Sequence, residues 1–322
     1  MDYEAAFARV GEAVSGANPL EARELATGFS WSEIPRWHDG ALWFSDMYNH
    51  CILRLAEDGS TEKRVDAAGR IALAPEAGGG DKPGEEIVLG GMGWLPDGRL
   101  ITNSMHERVV LTGSGTDLTV YADLRELAKS SLNDMVVDAD GRAYITQLGY
   151  DLFVGETPDT APLLAVEPDG TARRADEAGE FAGANGITIT ADGSRLILAE
   201  VDANQITVLD RAADGTLSNR RTFAPTPWLP DGICLDEQGG VWAGMPGCGY
   251  VGRFVEGGRM TDAIALPMDR AMGTAVVLGG ANRSTLYIAC GMEVFDRAKS
   301  RDEGLGSIWA ADTPYTAGDS RP

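Results

Sequence analysis

One figure recurs through the whole chain: a tight Asp-Gly pair, or a close relative of it, followed at once by a short apolar run. It appears as HDGALWFSD at 38–46, PDGRLITNS at 96–104, DADGRAYIT at 138–146 and ADGSRLILAE at 191–200. DEQGGVWAG at 236–244 and GGANRSTLYIAC at 279–290 are looser copies. Asp-Gly supplies the positive-φ positions of hairpin turns, and the apolar runs have the β-branched and aromatic content of strands. The turns at Asp39, Asp97, Asp140, Asp192, Gln238 and Asn282 are spaced by 58, 43, 52, 46 and 44 residues. Six units of about 40–60 residues, each holding several strands, predict an all-β, six-bladed β-propeller with four-stranded blades. An immunoglobulin-like sandwich would not repeat one turn six times.

The spread of 41 Gly and 15 Pro along the 322 residues suits short strands and turns, and 43% hydrophobic content is enough for a large core. The expected division is a helical N-terminal extension over 1–19, the propeller over 20–312 and a loose C-terminal tail over 313–322. The extension holds an amphipathic helix over 3–14. A second short helix is expected in ADLRELAKS at 122–130. The run GSIWAAD at 306–312 reads as a last strand that pairs with N-terminal strands and closes the ring, because an open sheet edge is a liability.

The net charge of −22 argues against a nucleic-acid partner, which would require a basic stripe. No stretch of 18 apolar residues predicts a membrane span, and MDYEAAFARVGEAV does not resemble a signal peptide. The four Cys, at 51, 234, 248 and 290, have neither zinc-site nor disulfide-framework spacing. Buried free thiols and a cytoplasmic location are the expectation. G-x-S-x-G is absent, and no G-x-G-x-x-G joins a strand to a helix. DADGRAY resembles the start of an EF-hand loop but lacks its remaining acids, so it reads as a hairpin.

Polar residues stand at a fixed distance before four of the turns. Asn133, Asn185 and Asp231 each precede their turn by seven residues, and Glu33 by six. In a propeller the innermost strands line the central channel at equivalent heights. Two carboxylates and two amides starting four inner strands would converge at one end of that channel. Such an oxygen cluster suits one divalent metal ion, Ca²⁺ first, with Zn²⁺, Mn²⁺ or Mg²⁺ as alternatives. Taken singly, Asn-Asp, Asn-Gly and Asp-Gly are common turn dipeptides. It is their shared register that argues for a site.

The strings SEIPRW…LWFSD, NDMVVDADGRAYIT, NGITITADGSRLILAE and PDGICLDEQGGVWAG resemble the gluconolactonase/regucalcin (senescence marker protein) family over residues 25–312. The resemblance implies metal ligands at Glu33, Asn185 and Asp231, and a metal or substrate contact at Asn133. It also implies that Asp231 is both ligand and catalytic base or nucleophile. Paraoxonases and diisopropyl fluorophosphatase use a similar quartet. The implied activity is metal-dependent opening of a lactone, a small-molecule substrate. The alternatives are a phosphotriester or aryl ester hydrolase, a non-hydrolytic enzyme on the same scaffold, or a calcium-binding protein without turnover.

The chain departs from the family at Ser131. Sugar-lactonase members carry an arginine there, two residues before the Asn of the N-D motif, and use it to bind sugar hydroxyls. Its loss, with the aromatic rim residues, predicts a less hydroxylated, partly apolar or aromatic lactone. Loops after the second strands of all six blades should ring the pocket. The expected substrate contacts are Asn133, Ser131, Tyr48, His106, Tyr150, Phe153, Tyr250 and Met272.

Overall fold

The computed structural model describes residues 3–56, 59–70 and 87–321. Six sheets stand in a ring, each built around four antiparallel strands. The inner strands are Ser32–His38, Leu89–Trp94, Leu132–Val137, Ala184–Ile189, Ile233–Leu235 and Met272–Gly279. Each is followed by its Asp-Gly-type turn and a second strand that returns, as the repeat predicts.

The ring closes on its own ends. Gly306–Asp312 pairs with Thr285–Gly291 on one side and with the N-terminal strand Arg23–Phe29 on the other. The last blade therefore takes its outer strand from the start of the chain, which removes the open edge. Helix α1 (Tyr3–Ser15) precedes this strand and buries Ala6 and Val10 against blades four and five. Between them, Asn18–Leu20 adds a fifth, parallel strand to blade five. The apolar residues collect between neighbouring sheets. One cluster, for example, joins Val136 and Tyr144 of blade three to Leu196 and Leu198 of blade four.

All four cysteines are buried free thiols. DADGRAY is a hairpin, in which Asp138 Oδ1 accepts from Asp140 N and Arg142 N, 2.9 Å each. No helix among the described residues is long and apolar enough to cross a membrane.

Two local expectations fail. Residues 122–130 do not form a helix. They make one turn, in which the Ala128 N–H reaches Leu124 O at 2.8 Å. The next two N–H groups, of Lys129 and Ser130, are taken by Gln147 Oε1, so the turn cannot propagate.

The tail is not loose. Arg321 and Ile189 exchange backbone hydrogen bonds of 3.0 and 2.7 Å. Ser320 Oγ donates to Leu235 O at 2.8 Å, and Tyr315 Oη to Asp262 at 2.9 Å. The inner strands end at the turn side of the channel with unpaired backbone groups, and the tail satisfies some of them.

Candidate metal centre and cavity

The start of an inner strand is locally irregular, and the irregularity builds the site. The pairing register slips between Glu33 and Arg36, between Leu132 and Met135, and between Ala184 and Ile187. A β-bulge re-aims side chains that strict alternation would place between sheets. In blade one the bulge carries strain: Ile34, a β-branched residue, has φ of 53°.

Asn185-Gly186 and Asp231-Gly232 are not turns. Both glycines have ordinary φ. A Cβ on Gly186 would stand 2.5 Å from Ile233 N, and one on Gly232 2.3 Å from Ala275 Cβ. Each glycine lets the next blade's inner strand approach closely. Gly186 N donates to Asp231 O at 3.2 Å, and Gly232 N to Thr274 O at 2.8 Å. Glycine after the polar residue is therefore a feature of ring packing, which the turn-dipeptide reading misses.

Glu33, Asn133, Asn185 and Asp231 all line one cavity of about 150 Å³. Glu33 Oε2 accepts from Ile34 N at 3.0 Å. Burial pushes the Glu33 carboxyl up to about 7; hydrogen bonds from Thr274, Ile34 and Trp31 oppose the rise, and the charge of Asp134 adds to it. The Asp231 carboxyl is raised well above its ordinary range by burial, then by Glu33, then by Asp134. Asp134 itself is paired with Arg36, which lies deeper in the channel.

Among the described residues no Lys, Arg or His pairs with Glu33 or Asp231, and no set of three His, Cys, Asp or Glu gathers as a metal cluster. The set is two carboxylates completed by two amides. Two mutually repelling carboxylates that pair with no protein cation fit a hard divalent ion, and the all-oxygen donor set suits Ca²⁺, Mg²⁺ or Mn²⁺ better than Zn²⁺.

Tyr48, His106, Ser131, Tyr150 and Phe153 line the same cavity, with Trp31, Ile34, Met47, Val88 and Met105 adding apolar wall. Tyr48 presents its ring, because its hydroxyl donates to Val294 O at 2.8 Å. The Tyr150 hydroxyl reaches Asp202 at 3.3 Å. Tyr250 and Met272 are not part of the lining. Tyr250 begins the third strand of blade five, one strand farther from the axis, and packs on the blade four–five core. Met272 packs behind Trp31, Met47 and Tyr48. The rim comes from loops of blades one, two, three and six; the loops at 201–205 and 245–250 contribute nothing to it.

Arg297 also lines the cavity, and the reading of the sequence missed it. It opens helix α2 (Arg297–Glu303), whose N-cap Asp296 accepts from Lys299 N at 2.9 Å. The available clue was length: second and third strands elsewhere are mostly joined by tight turns, whereas blade six runs from Gly291 to Gly306.

The family model described as SMP-30/Gluconolactonase/LRE-like region matches residues 31–291. The pentonolactonase XacC of Haloferax volcanii is 28% identical over 249 residues, 74% of this chain and 79% of that protein. A regucalcin of Danio rerio is 28% identical over 197 residues, 58% of this chain and just under two thirds (64%) of its own length. Among solved structures, a luciferin-regenerating enzyme superposes with a TM-score of 0.71 over 92% of this chain and 96% of its own, at 16% identity, a likeness of fold. The relationship supports a hydrolase acting on lactones.

Proposed function

The chain belongs to the SMP-30/gluconolactonase/LRE-like family, and from that premise we propose that it is a metal-dependent lactonase acting on a lactone poor in hydroxyls. The observation that carries this reading is the pair Glu33 and Asp231, which among the described residues pair with no cation and line one cavity with Asn133 and Asn185. A divalent ion bound there supplies Lewis-acid polarisation of the ester carbonyl. Glu33, Asn185 and Asp231 would hold it, with Asn133 as fourth ligand or as a contact to the substrate carbonyl.

In this reading Asp231 takes the proton of the attacking water, and that proton then passes to the ring oxygen as the acyl C–O bond breaks. The product is an open hydroxy acid. A lactone ring holds its ester away from the preferred conformation, so modest activation suffices. The walls of Trp31, Met47, Val88, Met105 and Phe153 exclude water and offer ring faces, not hydroxyl partners.

Two measurements test the reading. Chelation should abolish lactone opening reversibly, with one divalent ion restoring it; full turnover in metal-free protein, checked by elemental analysis, would refute metal dependence. For substrate class, δ-valerolactone and aryl δ-lactones should exceed glucono-δ-lactone in kcat/KM. A preference of about tenfold or more for gluconolactone would show that Ser131 was misread.

A further inference from the structure

We propose that the mouth of the cavity binds an uncharged apolar tail, so that the substrate is a lactone bearing an alkyl chain or aryl group that leaves the cavity between blades three and six. The proposal rests on the lactonase reading for the reacting ring, but the tail site stands on its own geometry.

Two loops build the mouth: DLFVGE at 151–156 in blade three and EVFDR at 293–297 in blade six. In each, apolar residues stand between acids, and the acids fold back on the backbone. Asp151 Oδ1 accepts from Phe153 N, and Glu156 Oε2 from Asp151 N, at 2.8 Å each. Glu293 Oε1 accepts from Phe295 N and Asp296 N at 3.0 and 3.1 Å. These loops satisfy their polar groups locally, and what they present is apolar side chains. Blades three and six lie opposite each other in a ring of six, yet the Phe153 and Phe295 rings stand 6.4 Å apart, edge to face. The loops therefore meet across the strand-start end of the channel. Tyr48 Oη holds the blade-six loop through Val294 O at 2.8 Å, and the Arg297 guanidinium lies 4.8 Å from the Phe153 ring centroid.

Leu152, Phe153 and Val294 line the cavity. Leu152 is also 40% exposed, and the adjoining Val154 and Phe295, which are not part of the lining, are 54 and 65% exposed. A single exposed apolar side chain is ordinary. Here the apolar lining continues through the mouth to the outer surface, as the wall of a ligand groove does. Two further facts name the occupant. The cavity, of about 150 Å³, holds a lactone ring and little more, so a longer substituent must pass the mouth. Asp151, Glu156, Glu293 and Asp296 flank the apolar residues on a chain of net charge −22, so a tail ending in a carboxylate is repelled and a neutral one is not. A second copy docked symmetrically on this face would set the same acids against each other.

The test is a series of γ-lactones that share one ring and differ in one chain: γ-valerolactone (methyl), γ-heptalactone (propyl), γ-nonalactone (pentyl) and γ-undecalactone (heptyl). For the metal-loaded wild type, kcat/KM should rise about two- to fourfold per methylene across the mouth, the range between half and full burial, and then level off. The double variant Val154→Ser/Phe295→Ser should lower the ratio of γ-nonalactone to γ-valerolactone by about fivefold or more, chiefly through KM on the long lactones. Phe295→Leu, which keeps an apolar contact, should retain most of the ratio. A wild-type rate that ignores chain length would overturn the proposal. So would an equal loss on every lactone in the double variant, since the rim would then only hold the loops in place. A ratio unmoved by the double variant, with a wild-type dimer becoming a monomer in sedimentation, would make this face an interface between copies and overturn the tail site. Calorimetric binding of 2-methyl- and 2-pentylcyclopentanone, which keep the ring carbonyl and have no ester, separates the two readings. If no lactone is opened, yet the pentyl ketone binds wild type about tenfold or more tightly than the methyl ketone and loses that advantage in the double variant, the lactonase reading fails and the tail site stands. If the two ketones bind alike, the tail site fails whatever the turnover.

Discussion

Asp231 and Asp236 lie on either side of the inner strand of blade five, and the fold treats them in opposite ways. Asp236, at the turn end, receives Arg253 through two bonds of 2.6 and 3.1 Å and the N–H groups of Gln238 and Gly240 at 3.0 Å each. Arg253 in turn lies 3.8 Å from the Tyr315 ring. Blade three repeats the arrangement, with Asp138 joined to Arg211 and to its own hairpin N–H groups. Asp231, at the other end, pairs with no cation among the described residues and feels the charge of a second carboxylate, Glu33. The turn end is stapled by satisfied charge. The strand-start end keeps its carboxylates without such partners, which costs stability and leaves a place for a cation.

The largest effect on turnover should come from breaking this contrast at its two poles. Asp231→Asn should reduce kcat/KM by about 10²–10⁴-fold, since it removes ligand charge and base together. In chelated protein the same substitution should leave Tm unchanged or raised, because one of two repelling carboxylates is gone. Asp236→Asn should do the reverse. It removes the two closest carboxylate bonds of the buried Arg253, which keeps Thr261 and the more distant Asp262, at a cost of about 2–4 kcal/mol, while the folded fraction keeps kcat/KM within a few-fold. Thermal unfolding and kinetics on both variants check the pair. A stability loss at Asp231, or a selective activity loss at Asp236, would break the comparison.

What the sequence disclosed follows the same division. The turn end was legible because hairpin chemistry is local: Asp-Gly at fixed spacing gave six blades, and GSIWAAD gave the closure. The register of Glu33, Asn133, Asn185 and Asp231 was legible because the repeat carries it around the ring. The rim was legible only in part: Tyr48, His106, Tyr150 and Phe153 do line the cavity, but its loops have no repeat to fix the rest. Tyr250 was counted as rim from its place after a second strand, yet the loop before it is short and the ring turns toward the core. Arg297 was passed over because its place in the cavity wall is set by Tyr48, Phe153 and His106, which come from three other blades. The tail misled for a related reason. Its polar composition suits a loose end, and its partners, Ile189 and Leu235, are backbone groups that no composition reveals.

Two glycines sharpen the comparison at intermediate size. Gly232→Ala places a Cβ against Ala275 and should cost about 1–3 kcal/mol of stability. Because Asp231 is its neighbour, kcat/KM should also fall, by about tenfold for a displacement worth roughly 1.4 kcal/mol at the reacting atoms. Gly239→Ala, at the turn end of the same blade, meets open space but has φ of +77°. Its strain of about 1–2 kcal/mol should lower Tm alone. Equal kinetic effects from the two would mean that the ends are not separable.

The smallest effect on turnover is expected from the tail. Residues 319–321 line a cavity of about 550 Å³ at the turn end, together with Arg36. Deleting 319–322 removes the exchange between Arg321 and Ile189 and the Ser320 bond to Leu235, and should lower Tm by a few degrees. It keeps Tyr315 and its contact with Asp262. Turnover should stay within about twofold, because a buried partition separates this cavity from the metal end. Arg36, 3% exposed, donates to Met92 O at 3.2 Å, Pro35 O at 3.0 Å and Met135 O at 2.8 Å, and pairs with Asp134. Those acceptors tie blades one, two and three together across the channel without help from the tail. One route between the ends is Asp134, whose charge raises both Glu33 and Asp231. A kinetic change in the truncated protein would therefore mean that the tail holds Arg36 on Asp134. Asp134→Asn should then reproduce that change with the tail intact.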